Sequence, residues 1–210
     1  MPVQSARFWD RIARKYAASP IEDMAGYERT IDHTRRLLKS TDAVFEFGCG
    51  TGTTALRLAS SVARYVATDI SQEMIAIGRE KAQAEAVTNV EFVVATPETA
   101  QFPAASFDAV LGFNVLHLIK DRTAALRSVR GLLKPGGVFI SKTPALSAMG
   151  FPIRLLVPVM QAFGKAPYVG FFTSEELSQE IADTGFEIVE QAHHGTKKND
   201  VRTFVVARKV

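Results

Sequence analysis

Cysteine is nearly absent. The 210 residues contain one, Cys49, so an internal disulfide is excluded, and a reducing cytoplasm is the expected setting. An excess of charge of one sign is lacking too: 25 Lys and Arg against 22 Asp and Glu leave +3. The basic residues are scattered apart from pairs such as Arg35-Arg36 and Lys197-Lys198, which removes the electrostatic case for nucleic acid as a partner. Residues Met1 to Arg7 lack the apolar core of a signal peptide. Long hydrophobic runs are missing as well. In the most apolar segment, 144–172, Pro152, Pro158 and Arg154 break the pattern well short of the roughly 20 residues that span a bilayer, which leaves only peripheral contact with lipid open. His193-His194 has no third ligand at a recognisable spacing, so no metal is expected.

What is there is a core. A hydrophobic content of 47% is enough for one domain over residues 1–210, with no linker, repeat or low-complexity tract to divide it. From Ala43 onward short apolar runs alternate with helical stretches, the pattern of a mostly parallel sheet with helices on both faces. Strands are expected at Ala43–Phe47, Tyr65–Thr68, Val90–Ala95, Phe107–Phe113, Val138–Thr143, Phe186–Ala192 and Val201–Arg208. The helix opened by Asp121 should stop at Lys134-Pro135-Gly136-Gly137, and Thr173-Ser174-Glu175-Glu176 should cap a last helix that Gly185 ends. Only the loop from His193 to Asp200 separates the final two strands, so they must pair antiparallel.

The segment Val44-Phe45-Glu46-Phe47-Gly48-Cys49-Gly50-Thr51-Gly52 joins an apolar strand to a bare glycine loop at the mouth of a helix. Glycines there let the main chain approach a ligand with no Cβ in the way. The dinucleotide fingerprint Gly-x-Gly-x-x-Gly is not met, because Thr53 stands where its third glycine would fall. Glu46, two residues before the first glycine, would repel a pyrophosphate and suits a cationic or zwitterionic ligand. The run Glu46-x-Gly48-x-Gly50-x-Gly52 resembles the first motif of the class I S-adenosylmethionine-dependent methyltransferases. That resemblance extends from about Phe8 to the C-terminus. It implies a Rossmann-like, doubly wound α/β fold with a seven-stranded sheet, mostly parallel with an antiparallel final strand, and S-adenosylmethionine as cofactor.

Asp69, about 20 residues beyond the glycines at the end of the second strand, is placed to accept both ribose hydroxyls of such a cofactor. Glu46, Gly48, Cys49, Gly50, Thr51 and Gly52 would line its cradle, with Cys49 serving as a small packing residue. In the pattern that the resemblance implies, Ile70 and Met74 flank the adenine, although an apolar pair at i and i+4 also fits core packing. Thr96 stands where relatives usually carry an acid that reads the adenine amine, and a hydroxyl can still accept one hydrogen bond. The segment Gly112 to Leu118 resembles the one that closes over the sulfonium in that family, which implies Asn114 as a cofactor neighbour. His117 is the candidate general base, against the alternative of a hydrogen-bonded helix-start residue.

Phe8, Trp9, Ile12 and Tyr16 fall on roughly one helical face, so residues 1–40 are read as cover helices over the site; the resemblance implies that they cover the cofactor, with the Tyr16 ring suited to a sulfonium, against the alternative of a hydrophobic cover with no ligand contact. Segment 144–172 is read as an apolar lid that selects the acceptor. The expected reaction is in-line transfer of a methyl group to a small, largely apolar acceptor, quinone-like, lipid-like or polyketide-like, by a monomer or weak homodimer. Two alternatives are a non-catalytic cofactor-binding module and, less favoured by the glycine spacing, an NAD-dependent oxidoreductase.

Overall fold

Alternation along β1 (Ala43–Phe47) divides the molecule into two layers. Phe45 and Phe47 enter one core with Val110, Phe139, Leu126, Val129, Leu177 and Ile181, while Val44 enters the other with Tyr65, Ala67, Ile31, Leu58 and Ile75. The computed structural model describes residues 2–149, 161, 166–197 and 200–210. Seven strands form one sheet in the order β3-β2-β1-β4-β5-β7-β6, where β2 is Arg64–Asp69, β3 Val90–Val94, β4 Phe107–Phe113, β5 Leu133–Pro144, β6 Phe186–His193 and β7 Arg202–Lys209. All pairs from β3 to β5 are parallel, and β7 is inserted antiparallel between β5 and β6. The fold and the terminal hairpin expected from sequence are therefore present.

Helices α2 (Met24–Leu37), α3 (Thr53–Ala59) and α4 (Gln72–Ala84) cover one face, and α5 (Arg122–Leu132) and α6 (Ser174–Asp183) the other. Their ends follow the sequence chemistry. Ser71 caps α4 by accepting from the Met74 amide, Thr173 and Glu176 complete the reciprocal capping box of α6, and Gly185 turns left-handed at φ 89°. The fifth strand differs from expectation. Rather than turning into the sheet, Lys134-Pro135-Gly136-Gly137 belongs to β5 itself, as a bulge opposite the single residue Asp108. Gly136 absorbs it at φ 73°, and Lys134 Nζ clamps both Asp108 oxygens at 2.8 Å. Asp108 also accepts from the Ala43 amide, which fixes it as a strand-start residue.

The N-terminal helix α1 (Pro2–Ala18) lies against α4, with Trp9, Ala13 and Ala17 packed on Met74 and Ile77. Its buried stripe runs i, i+4, i+8 through small alanines, and Tyr16 is 52% exposed with its ring edge-on to that of Trp9, centroids 6.2 Å apart. Asp10 pins this helix: its Oδ1 accepts from Ser71 Oγ at 2.7 Å and from the Glu73 amide at 3.2 Å.

Candidate active site

Chain order reverses between β1, which continues to β2 on one side, and β4 on the other, and open sheets bind ligands outside the carboxyl ends at such a point. A cleft of about 1350 Å³ opens there. Every sequence-predicted cofactor residue except Gly52 lines it: Tyr16, Glu46, Gly48, Cys49, Gly50, Thr51, Asp69, Ile70, Met74, Thr96 and Asn114.

The three glycines of the loop after β1 are all left-handed, at φ 64°, 55° and 74°, but for different reasons. A Cβ on Gly48 would stand 2.3 Å from Val115 Cγ2, and one on Gly52 would stand 2.5 Å from the Phe92 ring. Those two are required by packing. At Gly50 the nearest atom to such a Cβ is Tyr16 Cε1, 3.9 Å away, so the main chain there faces open space in the cleft. The Gly50 amide donates to Asp69 Oδ2 at 3.0 Å, and the Ser71 amide donates to Oδ1 at 2.9 Å. Each carboxylate oxygen keeps a further lone pair. Burial raises the Asp69 pKa, and the amides of Ser71 and Gly50 oppose the rise.

Glu46 is 2% exposed on the floor of the cleft and accepts from Tyr65 Oη at 2.8 Å. Burial pushes its carboxyl up to about 7, against the pull of the Tyr65 hydroxyl, with Asp69 adding to the rise. A buried acid that shares a cleft with a second acid is a receptor for positive charge. Burial and the two neighbouring acids also push the Cys49 thiol well above its ordinary range, which rules out a resident thiolate nucleophile and leaves Cys49 as packing.

Comparison with known proteins shows the family. The family described as "Methyltransferase domain" matches residues 45–141. The chain is 30% identical over 187 residues to a demethylmenaquinone methyltransferase of Corynebacterium efficiens, covering 84% of this chain and 78% of that protein. It is 29% identical to a ubiquinone biosynthesis O-methyltransferase of Xanthomonas axonopodis pv. citri, covering 73% and 66%. The crystal structure of an S-adenosylmethionine-dependent methyltransferase from Mesorhizobium loti shares the fold, with a TM-score of 0.69 at 20% identity, covering 85% of this chain and 96% of that one. The chain belongs to the class I S-adenosylmethionine-dependent methyltransferases.

In this methyltransferase two of the side chains singled out from sequence are occupied otherwise than expected. His117 sits in a 3₁₀ turn, Leu116–Leu118, and is not among the residues that line the cleft. Its Nδ1 is buried without a hydrogen-bond partner among the described residues, and burial holds its pKa down at about 4. A ring outside the lining of the cleft, with a buried Nδ1, gives the general-base reading no direct support. The Thr96 hydroxyl lies within 3.2 Å of Thr99 Oγ1 and 3.3 Å of the Thr99 amide, closing a local turn, so it reaches the cleft as part of a loop rather than as a free acceptor. Met74 divides its surface between the cleft and the α1 contact.

The methyltransferase cleft also has lining that sequence reasoning missed. Tyr27 and Asp23 come from the start of α2, Phe113 from the end of β4, Tyr168 from the segment before α6, and Arg202 from the start of β7. No motif joins them, because the sheet brings them together from segments up to about 180 positions apart in the sequence. Much of the expected lid, 150–160 and 162–165, lies outside the described residues.

Proposed function

We propose that the cleft holds S-adenosylmethionine with its ribose on Asp69, its adenine against Ile70, Met74 and the Thr96 loop, and its methionine portion over Gly50 towards Glu46 and Asn114. The single observation that carries this is the geometry of Gly50, whose absent side chain leaves main chain open to a ligand while its amide orients the ribose-binding carboxylate. When bound, the cofactor supplies a methyl group already activated on a sulfonium. What remains for the chain is to hold, orient and dry the reactants. Glu46 offers negative charge beneath the cationic part, α1 pinned through Asp10 covers the site, and Tyr16 at the rim presents a ring to the sulfonium. Holding two reactants in line contributes roughly 7–11 kcal/mol without a covalent intermediate.

The acceptor is a small molecule with an apolar body, entering beside Phe113 and Tyr168, and segment 144–172 acts as its lid. The activities for which the two relatives are named favour a quinone-like acceptor over the lipid-like and polyketide-like ones. Among the described residues no helix is long and apolar enough to cross a membrane. The chain works in the cytoplasm as a monomer or weak homodimer, and touches lipid peripherally through its lid. Incubation with S-adenosylmethionine and a panel of quinols tests the reading. Acceptor-dependent formation of S-adenosylhomocysteine is expected, and a protein that fails to bind either adenosyl compound would refute it.

A further inference from the structure

The end of the cleft farthest from Asp69 is not apolar throughout. Arg202 opens β7, opposite Pro144 of β5, and lines the cleft with its side chain 33% exposed. In the sheet order, β7 stands three strands from β1, on the side away from β2. At about 4.8 Å per strand, its backbone lies roughly 14 Å from the glycine-loop strand and roughly 19 Å from the strand that carries Asp69. Arg202 therefore addresses whatever occupies the cleft beyond the cofactor.

The guanidinium is held but not used up. Nε donates to Asp200 Oδ1 at 2.6 Å, which fixes the plane of the fork, and Nη2 lies 3.7 Å from Asp23 Oδ2, an ion pair rather than a hydrogen bond. Among the described residues no other partner takes its remaining N–H groups. Asp23 is itself committed, accepting from the Gly26 amide and from both the amide and hydroxyl of Thr196. Both signs of charge meet here: Arg202 and Arg29 and the acids Asp23 and Asp200 all bear on the buried Lys142, whose ammonium donates to the neutral hydroxyl of Thr30 at 2.9 Å, and Asp200 Oδ2 is buried without a hydrogen-bond partner among the described residues. An oriented fork with free donors, lining the same cleft as Phe113 and Tyr168, matches one chemistry best, the planar pair of oxygens of a carboxylate.

Resting on the methyltransferase reading of this cleft, we propose that the acceptor carries a carboxylate on its apolar body and that Arg202 is the specificity residue that binds it. Binding to protein saturated with S-adenosylhomocysteine is the test, measured by calorimetry for a series of alkyl-substituted hydroxybenzoates, each paired with its neutral carboxamide. The expected result is at least one carboxylate bound about tenfold or more tighter than its amide. That preference should fall below about twofold in Arg202→Gln and be partly retained in Arg202→Lys, with affinity for S-adenosylhomocysteine unchanged in both. The proposal is overturned if no carboxylate is preferred by the unmutated protein, if the preference survives in Arg202→Gln, or if cofactor affinity falls in step, which would assign the fork to the cofactor's own carboxylate. The comparison on unmutated protein remains decisive should Arg202→Gln fail to fold. Absence of S-adenosylhomocysteine binding to the unmutated protein would instead sink the cofactor reading, and the carboxylate-against-amide comparison without cofactor would then judge Arg202 by itself.

Discussion

Asp69 and Gly50 act as a pair, and each can be broken separately. Replacing Asp69 by Ala removes the acceptor of the Gly50 and Ser71 amides as well as the ribose contact. Hydrogen bonds to a charged group are worth roughly 1.5–3 kcal/mol each, so affinity for S-adenosylhomocysteine should drop roughly 10- to 100-fold or more by calorimetry. Gly50→Ala meets no neighbour within 3.9 Å and carries only the left-handed cost of about 1–2 kcal/mol, yet its methyl group projects into the ligand's space. Its melting temperature should fall modestly while cofactor binding is lost, whereas Gly48→Ala, driven into Val115, should lose more stability. Equal damage to stability from both would mean that Gly50 serves the turn alone. Glu46 makes the site pH-dependent. Its pKa is raised from 4.5 to about 7, so its contribution to the ligand-free fold is full below about 4.5 and lost as pH rises through about 7. A cation binds the ionised form better, so affinity for S-adenosylmethionine should climb with pH and level off above about 7, with proton release on binding below that point. In Glu46→Gln the profile should be flat over that range.

The covering helix is joined to the rest through a cluster of its own. Trp9, Ala13 and Ala17 meet Met74 and Ile77, and Asp10 ties the start of α4. Asp10→Ala combined with Trp9→Ala should therefore strip hydrogen-exchange protection from α1 and weaken cofactor binding while the sheet keeps its protection; uniform loss across the sheet would show α1 to be part of the main cooperative unit. The same helix shows where sequence pattern stops. Large apolar residues suggested a face with Phe8, Trp9, Ile12 and Tyr16, but alanines at i+4 and i+8 from Trp9 allow the closer approach, and their smallness hides them from a hydrophobicity reading. Lys134-Pro135-Gly136-Gly137 misled differently. Pro and Gly signal an interruption, and the sequence does not say whether it falls between elements or, as here, inside a strand as a bulge clamped by Asp108.

Across the whole molecule, the legible parts are those in which contiguous sequence makes the contact. The strand, glycine loop and acid from Val44 to Asp69 form one local βαβ unit, so their spacing marked a loop and an acid that do meet at the carboxyl end of the sheet, through the Gly50 amide and Asp69. The far end of the cleft depends on β7 returning antiparallel between β5 and β6, which brings Arg202 towards Asp23 from the far end of the chain. Nothing local encodes that meeting. The place of His117 outside the cleft lining is not legible for the same reason, since it sits in a 3₁₀ turn whose surroundings are set by packing rather than by its neighbours in sequence. His117→Gln should accordingly leave the pH profile of turnover unchanged, and loss of an ionisation from that profile would restore it as a base. The central claim is an adenosyl group over Gly50 with its ribose on Asp69, and a crystal structure of the complex with S-adenosylhomocysteine tests it most directly. The account predicts both ribose hydroxyls within about 2.5–3.0 Å of the Asp69 oxygens and the sulfur facing the Asn114 side of the cleft; an adenosyl group bound elsewhere, or a ribose turned away from Asp69, would contradict it.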